Sequence, residues 1–146
     1  MSKSNYFENA WLQLVFNAVA IDGLAQNDGT SPVTDLVVAL HTADPGEGGT
    51  QTTSEIVYTG YARQNVVRDA TGWLVSGSNA WPVNPVVFGE MTAGPGGLVT
   101  HASVGDGISD RILYKGTVTP NINVVNGVIP RLKGFSQSPP SVVTEE

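Results

Sequence analysis

The stretch LVVALHTADPGE (residues 36–47) is followed by YARQ at residues 61–64. Its first part, residues 36–42, is a continuous apolar run that predicts a β-strand buried on both faces. Asp44-Pro45-Gly46 then sets a turn at the start of a Gly- and Thr-rich loop. A second strand is predicted to open at Tyr61. These residues therefore predict two strands joined by an exposed loop that starts in a defined turn.

The rest of the chain predicts more short strands separated by turns. Strands are expected at residues 56–58, 61–68, 72–76, 86–90, 99–104, 111–118 and 121–129. Asn126-Gly127 is a hairpin signal, because both residues tolerate positive φ. Helices do not alternate with strands, which excludes a doubly wound α/β sheet. The pattern predicts a mainly β fold, a β-sandwich or jelly-roll-like arrangement with one N-terminal α-helix.

That helix is predicted over residues 4–21. Asn5 and Glu8 fit a capping box, and Ser4 is the alternative cap. Asp22-Gly23 is expected to end the helix. Its apolar residues recur at helical spacing and form one face: Phe7, Trp11, Leu14, Val15, Ala18 and Val19. We expect this face to pack on a sheet, and contact with another subunit is the alternative.

Length and composition predict one folded domain. A chain of 146 residues buries enough surface for a single core. We expect that domain to span residues 1–133, followed at 134–146 by an extended or flexible tail, GFSQSPPSVVTEE. The chain has no cysteine, which excludes a disulfide framework, a thiolate zinc site and a cysteine nucleophile.

Charge argues against a nucleic-acid partner. The net charge is −6, and the seven lysines and arginines are scattered along the chain. No apolar run approaches the roughly 20 residues that span a bilayer, and the first residues do not resemble a secretory signal. We expect no nucleic acid and no membrane as partner, with synthesis in the cytoplasm of the host cell.

The chain offers little for catalysis. His41 and His101 are its two imidazole bases, and His41 is followed by Asp44 and Glu47. No G-x-S-x-G elbow or other activated nucleophile accompanies them. A histidine at a strand end is usually a structural hydrogen-bonding residue. We therefore expect no enzyme activity and no catalytic residue.

Metal, cofactor and sugar sites are also weakly indicated. The two histidines do not share ligand spacing, and the aspartates in Gly-rich turns lack the periodicity of a calcium loop. They are expected to cap turns, and no metal or cofactor is predicted. Trp73 and Trp81 would stack a sugar if exposed, but a core or interface role is favoured.

Six segments occur in an order that resembles a known family: SNYFENAWLQLVF, LVVALHTADPGEGG, GYARQNVV, LVTHASVGD, ILYKGTVTP and NVVNGVI. The family is the small virion proteins of tailed bacteriophages commonly labelled phage tail fibre protein, which overlap with capsid cement or decoration proteins. The resemblance covers residues 4–133. The chain departs from the family pattern in a longer insert at 22–35, a Pro-rich segment GSNAWPVNPVVFGEM, and the tail after Gly134.

The resemblance implies a structural role rather than chemistry. It implies first that the chain is a capsid cement protein on the exterior of the virion capsid. Such a protein bridges neighbouring major capsid proteins and stabilises the shell against the pressure of the packaged DNA. A homodimer or other homo-oligomer suits the symmetry of such a shell. The alternative is a tail or tail-fibre component, including a glycan-facing one, although fibres usually have long repetitive shafts. A hydrolase or lectin outside virions is the third hypothesis.

Three segments are expected to make the contacts in such an assembly. They are the loop at 44–53, the apolar face of the helix, and the tail at 135–143. The residues predicted to lie in the interface are Phe7, Trp11, Leu14, Asp44, Pro45, Glu47, Thr50, Phe135, Pro139 and Pro140.

Overall fold

The computed structural model describes residues 1–17, 19–25, 33–76, 79–136 and 143–144. Within these residues the chain forms one helix, α1 (Asn5–Asn17), and ten strands. The strands are β1 (Ser2–Lys3), β2 (Asp35–His41), β3 (Gln64–Val67), β4 (Trp73–Ser76), β5 (Asn79–Pro82), β6 (Val86–Val87), β7 (Gly97–Gly105), β8 (Ile112–Val124), β9 (Arg131–Leu132) and β10 (Val143–Thr144).

The strands form three antiparallel sheets. The largest has five strands in the order β1-β8-β7-β2-β3, a second has the order β10-β5-β4, and β6 pairs with β9. The prediction of a mainly β fold with one N-terminal helix is confirmed.

Strand β2 is buried on both faces, as its apolar run predicts. Val38 pairs with Val104 and Leu40 with Ala102 on one face, while His41 pairs with His101 on the other. The last four residues of β2, from Val38 to His41, are all buried. One face of this strand therefore belongs to the apolar core, and the other face lies under a different layer of the molecule.

The core lies between the five-stranded sheet and the smaller β6–β9 sheet. Strands β2, β7 and β8 contribute side chains from one side, and β6, β9 and the segments beside them contribute from the other. The buried cluster consists of Val38, Leu40, Ile56, Tyr58, Val86, Phe88, Met91, Val99, Ala102, Val104, Val124 and Leu132. Two layers packed on one core are consistent with a β-sandwich.

The helix begins where the alternative cap places it and is shorter than predicted. Ser4 Oγ accepts the Phe7 N–H at 3.3 Å and Ser4 O accepts the Glu8 N–H at 3.0 Å, so Ser4 is the cap and not Asn5. The helix ends at Asn17 instead of residue 21. Ile21 is buried, and its carbonyl accepts the N–H groups of Leu24 and Ala25, which places it in the following turn. Ala18 lies outside the described residues.

The predicted hairpin at Asn126-Gly127 is wrong, although the turn exists. The Val128 N–H donates to Val125 O at 3.0 Å, and Gly127 has a φ of 85°. The strands on either side do not pair with each other, because β8 pairs with β7 and β9 pairs with β6. The turn carries the chain from one sheet to the other, and hydrogen bonds to Met91 hold it in place.

Two further strand predictions differ from the structure. The ranges 111–118 and 121–129 were expected as separate strands, but β8 runs from Ile112 to Val124 as one strand because it pairs with β7 on both sides of an irregular stretch at residues 118–121. The short strand expected at 56–58 does not form. In its place Glu55 makes a single bridge to His41, and the Ile56 N–H donates to Leu40 O at 3.0 Å.

Candidate functional site

A buried polar cluster lies on the face of β2 and β7 that points away from the core. His41 and Ser103 are both fully buried there. The Nε2 atom of His41 lies 2.7 Å from Ser103 Oγ, and its Nδ1 atom lies 2.8 Å from the carbonyl oxygen of Thr53. A carbonyl oxygen can only accept, so Nδ1 carries the proton and Nε2 accepts the Ser103 hydroxyl.

Gln51 completes this cluster from the loop at residues 42–55, hereafter the 42–55 loop. Its Nε2 atom donates to Val37 O at 2.8 Å and lies 3.4 Å from Ser103 Oγ. A Cβ atom at position 105 would come within 2.7 Å of the Gln51 side chain, so glycine is required there. These hydrogen bonds therefore attach the second half of the 42–55 loop to the sheet.

The Ser103–His41 pair has the chemical form of an activated nucleophile with its base. Its surroundings do not suit that chemistry, since both side chains are fully buried and the second ring nitrogen of His41 is bonded to a backbone carbonyl. Burial lowers the pKa of His41, which keeps the ring neutral. Through His41, the hydrogen bonds to Thr53 O and to Ser103 link the 42–55 loop to strand β7.

Lys115 fixes the outer part of the 42–55 loop. Its Nζ atom lies 3.1 Å from Asp44 Oδ1 and 2.7 Å from Glu47 Oε1. A hydrogen bond from the Gly46 N–H, helped by Lys115, lowers the pKa of Asp44. Although burial opposes it, the two carboxylates raise the pKa of Lys115. One buried ammonium thus holds two loop carboxylates.

The structure brings together the four contact residues predicted in this loop, and hydrogen bonds and ion pairs within the chain hold the loop in place. Asp44 and Glu47 keep about half of their side-chain surface exposed, at 53% and 46%. Pro45 is buried. The Thr50 hydroxyl lies 2.8 Å from that of Thr52. Contact of this loop with a partner stays a prediction.

Two residues of the YARQ segment, Tyr61 and Arg63, bind Glu55 at the C-terminal end of the 42–55 loop. Glu55 accepts two bonds from Arg63, at 2.7 and 2.8 Å, and a third from the Tyr61 hydroxyl at 2.8 Å. Arg63 also bonds Asp110, and the Tyr61 hydroxyl accepts the N–H of Leu40 at 3.1 Å. The hydrogen bonds to Glu55 raise the pKa of Arg63. The sequence marked these residues as distinctive, but it gave no sign of this network.

The predicted helix face is divided between packing and exposure. Phe7 packs edge-on against Tyr114, with ring centroids 5.4 Å apart. Trp11, one turn later, is 51% exposed, and Phe16, which was not predicted as a contact, is 76% exposed. The Leu14 side chain lies outside the described residues. The first turn of α1 is therefore docked on the sheet, and the later turns present aromatic surface to solvent.

The described part of the tail starts by docking on the domain. The Phe135 N–H donates to Pro82 O at 2.7 Å, and its ring lies 5.5 Å from that of Trp81. Further on, β10 pairs with β5. Pro139 and Pro140 lie outside the described residues. The division between domain and tail at residue 133 stays a prediction.

An apolar pocket of about 490 Å³ lies between the five-stranded sheet and the sheet that contains β4 and β5, and we call it the β4 pocket. Sequence reasoning did not find it, because strands from distant parts of the chain form its walls. It is lined by Leu36, Arg68, Asp69, Ala70, Trp73, Leu74, Val75, Ala80, Val104 and Tyr114. This lining is largely apolar, which suits an apolar group better than a sugar.

The described residues contain neither a cluster of metal ligands nor a membrane-spanning helix. No group of three or more His, Asp or Glu side chains in the described part of the chain is placed to hold a metal ion. Within the same residues, no helix combines the length and apolar character needed to cross a membrane.

Comparison with known families gives a match over most of the chain. The family described as Podophage GP4 fiber I protein gp80 matches residues 2–134. This range begins at β1 and runs through β9. No curated protein sequence matches the chain.

Proposed function

The chain belongs to the Podophage GP4 fiber I protein gp80 family of phage fibre-type structural proteins, and from this premise we propose that it is a component of a phage tail fibre. The observation that carries the proposal is the match over residues 2–134, which includes almost all of the described fold. The description of that family favours the tail-fibre alternative over the capsid cement protein implied first by the resemblance.

A binding role rather than a catalytic one fits the chemistry of the polar groups. The Ser103–His41 pair is fully buried, and Lys115 and Arg63 are engaged with loop carboxylates. These groups hold the 42–55 loop on the sheet. The exposed side chains on α1, Trp11 and Phe16, are apolar. We infer that the protein is not an enzyme and that its surface serves assembly.

The partners that we propose are neighbouring virion proteins and further copies of this chain. Exposed Trp11 and Phe16 on α1 are suited to such contacts, because large aromatic side chains dominate the energetics of protein interfaces. The negative net charge disfavours the genome as a partner. Location in the virion follows from the family, and the tail is the part of the virion that we propose.

Capsid cement is the second candidate, and one observation favours it. The chain has no internal repeat and folds around one sandwich core, whereas fibre shafts are usually repetitive. A small protein of this kind bound at many equivalent positions on a shell would gain from multivalency.

Copy number and position in purified virions separate the two candidates. We expect quantitative mass spectrometry against the major capsid protein to give at most a few dozen copies per particle, and immunogold electron microscopy to label the tail. Antibodies to the major capsid protein serve as the control for labelling of the shell. Hundreds of copies distributed over the capsid would overturn the tail-fibre proposal in favour of cement.

A further inference from the structure

The turn between β8 and β9 contains the one Asn-Gly dipeptide of the sequence, Asn126-Gly127. Asparagine followed by glycine is especially prone to deamidation, because glycine has no side chain to hinder attack of its backbone nitrogen on the asparagine side chain. Both residues are exposed, and a Cβ atom at Gly127 would meet no atom within 4 Å. Water and hydroxide therefore have access to this turn.

Deamidation at this dipeptide takes place in two steps. The backbone nitrogen of Gly127 loses its proton and attacks Cγ of Asn126, so that an N–Cγ bond forms, the Cγ–NH2 bond breaks and ammonia leaves. Water then opens the cyclic imide at either of its carbonyl carbons and gives aspartate or isoaspartate. The Gly127 N–H must therefore be free to lose its proton, and the Asn126 side chain must turn back onto the backbone.

The folded turn meets neither requirement. The Gly127 N–H donates to Met91 O at 2.8 Å. With its nitrogen directed at the same segment, the Asn126 side-chain amide donates to Thr92 O at 2.8 Å and to Met91 O at 3.3 Å. Carbonyl oxygens of two neighbouring residues thus hold both reacting groups, and the reaction requires local opening of the turn.

The product of the reaction does not fit the closed turn. An aspartate carboxylate has no N–H to donate, and its oxygens would face the carbonyl oxygens of Met91 and Thr92 at hydrogen-bond distance. Met91 is 5% exposed and belongs to the core cluster, so this turn is attached directly beside the core. Loss of the attachment loosens the connection between the five-stranded sheet and the β6–β9 sheet.

We propose that Asn126 is a deamidation site that the closed turn protects, and that its conversion to aspartate or isoaspartate detaches the turn from Met91 and Thr92. A virion makes no new protein after assembly, so the modified form accumulates for as long as the particle persists. The proposal rests on contacts within the chain and is independent of the choice between tail fibre and capsid cement.

Peptide mapping by mass spectrometry measures deamidation at Asn126 in the natural full-length chain, folded and in denaturing urea, in one mildly alkaline buffer. A synthetic peptide of residues 123–129, with and without urea, gives the effect of urea on the chemistry alone. One hydrogen bond shifts an opening equilibrium about fivefold, so we expect deamidation to be roughly 25-fold slower or more in the folded chain. Equal rates in the two states, after correction with the peptide, would overturn the proposal.

Asn126→Asp places the product in every molecule and tests the detachment of the turn. Amide hydrogen exchange, corrected for the intrinsic rate of each sequence, should be roughly fivefold faster or more at Gly127 than in the parent chain. Asn123→Asp is the matched control, because Asn123 is exposed on β8 and gains the same charge. We expect this control to exchange like the parent at Gly127.

Unchanged exchange at Gly127 in the Asn126→Asp chain would overturn the proposal, because it would show that the turn stays attached. Equally fast exchange in the Asn123→Asp chain would also overturn it, since added charge alone would then account for the opening. The rate measurement uses the natural chain, so it decides the protection of Asn126 whether or not the Asn126→Asp chain folds.

Discussion

His41 is held in one protonation state by its two contacts. Its Nδ1–H donates to Thr53 O, and its Nε2 accepts from Ser103. A second proton on Nε2 would remove that acceptor and place a charge in a fully buried site. Burial accordingly lowers the pKa of His41 below its ordinary value of 6.5 in the folded chain.

This shift predicts a loss of stability in mild acid. The unfolded chain takes up the His41 proton as pH falls through 6.5, while the folded chain does not, so the stabilisation is complete above that pH and declines below it. We expect the urea midpoint to fall between about pH 7.5 and about pH 5, across the usual range of histidine titration. The His41→Gln variant should show a flatter dependence.

Between those two pH values, a change in stability reports protonation of histidine and not of the Asp44 carboxylate. Asp44 has a pKa lowered from 3.8, so its contribution is present above that value and is lost only at lower pH. A parent chain and a His41→Gln chain with identical pH dependence would contradict this account of His41.

Ser103 gives a prediction of magnitude. Ser103→Ala leaves His41 Nε2 without its donor in a buried site, and an unsatisfied buried group costs about 1–3 kcal/mol. Urea denaturation at about pH 7.5, above the usual titration range of histidine, should show this loss in the free energy of unfolding. The exposed Ser76→Ala is the control and should change stability by no more than about 0.5 kcal/mol. Equal losses in the free energy of unfolding for the two substitutions would contradict a stabilising hydrogen bond between Ser103 and His41.

Individual partners of this kind were beyond prediction from the sequence. The turn at Asp44-Pro45-Gly46 was predicted from local preferences, and the Asp44 side chain does bond the Gly46 N–H. Lys115, which holds the same carboxylate, lies 71 residues further along the chain. Local sequence patterns cannot predict this contact, because the pairing of β2 with β7 and of β7 with β8 brings the two residues together.

At the scale of elements, apolar runs in the sequence predicted where strands form, whereas pairing between strands determines where they begin and end. Strand β2 was predicted within one residue at each end, because both of its faces are buried. Strand β8 was predicted as two pieces, since the sequence around Pro120 suggests a break. Pairing with β7 on both sides of Pro120 makes it one strand.

The N-terminus of α1 depends on Ser4 in two ways. Its Oγ accepts the Phe7 N–H as a helix cap and donates to the carbonyl of Ile112, and the residue is 1% exposed. Loss of a cap typically costs about 1 kcal/mol, and loss of a buried hydrogen-bond partner adds about 1 kcal/mol or more. We therefore expect Ser4→Ala to lower the free energy of unfolding by roughly 2 kcal/mol.

Circular dichroism during urea denaturation measures this loss, and amide hydrogen exchange should show faster opening of the first turn of α1. Ser2→Ala is the matched control, because the Ser2 hydroxyl makes a single exposed hydrogen bond of 3.4 Å to Glu47. Unchanged exchange in the first turn of the Ser4→Ala chain would show that the cap does not hold the helix on the sheet.

At the scale of the whole molecule, the order of segments predicted more than their chemistry did. The fold class and the family both followed from it, and both are confirmed. The β4 pocket and the outward position of Phe16 did not follow, since each depends on how distant segments pack. Surfaces for assembly are set at this scale, where residue types alone say little.

The end of the folded domain can be located by truncation. Gly134 is buried against Asn84 and Pro85, and Phe135 contacts Trp81, so contacts with the domain are made just beyond the predicted boundary at residue 133. A chain ending at Ser136 keeps these contacts, and a chain ending at Lys133 loses them. Because Phe135 is 51% exposed, its burial contributes about half of the 1.5–3 kcal/mol of a fully buried phenylalanine.

We therefore expect the chain ending at Lys133 to unfold roughly 3–5 °C below the chain ending at Ser136, from the usual relation between stability and Tm. A full-length Phe135→Ala chain is the control and should lose a similar amount, because it removes the same ring from Trp81. Differential scanning calorimetry compares these three chains with the full-length parent. Equal Tm values for the two truncated chains would place the domain boundary at residue 133, and a large drop on ending at Ser136 would show that β10 supports the β4–β5 sheet.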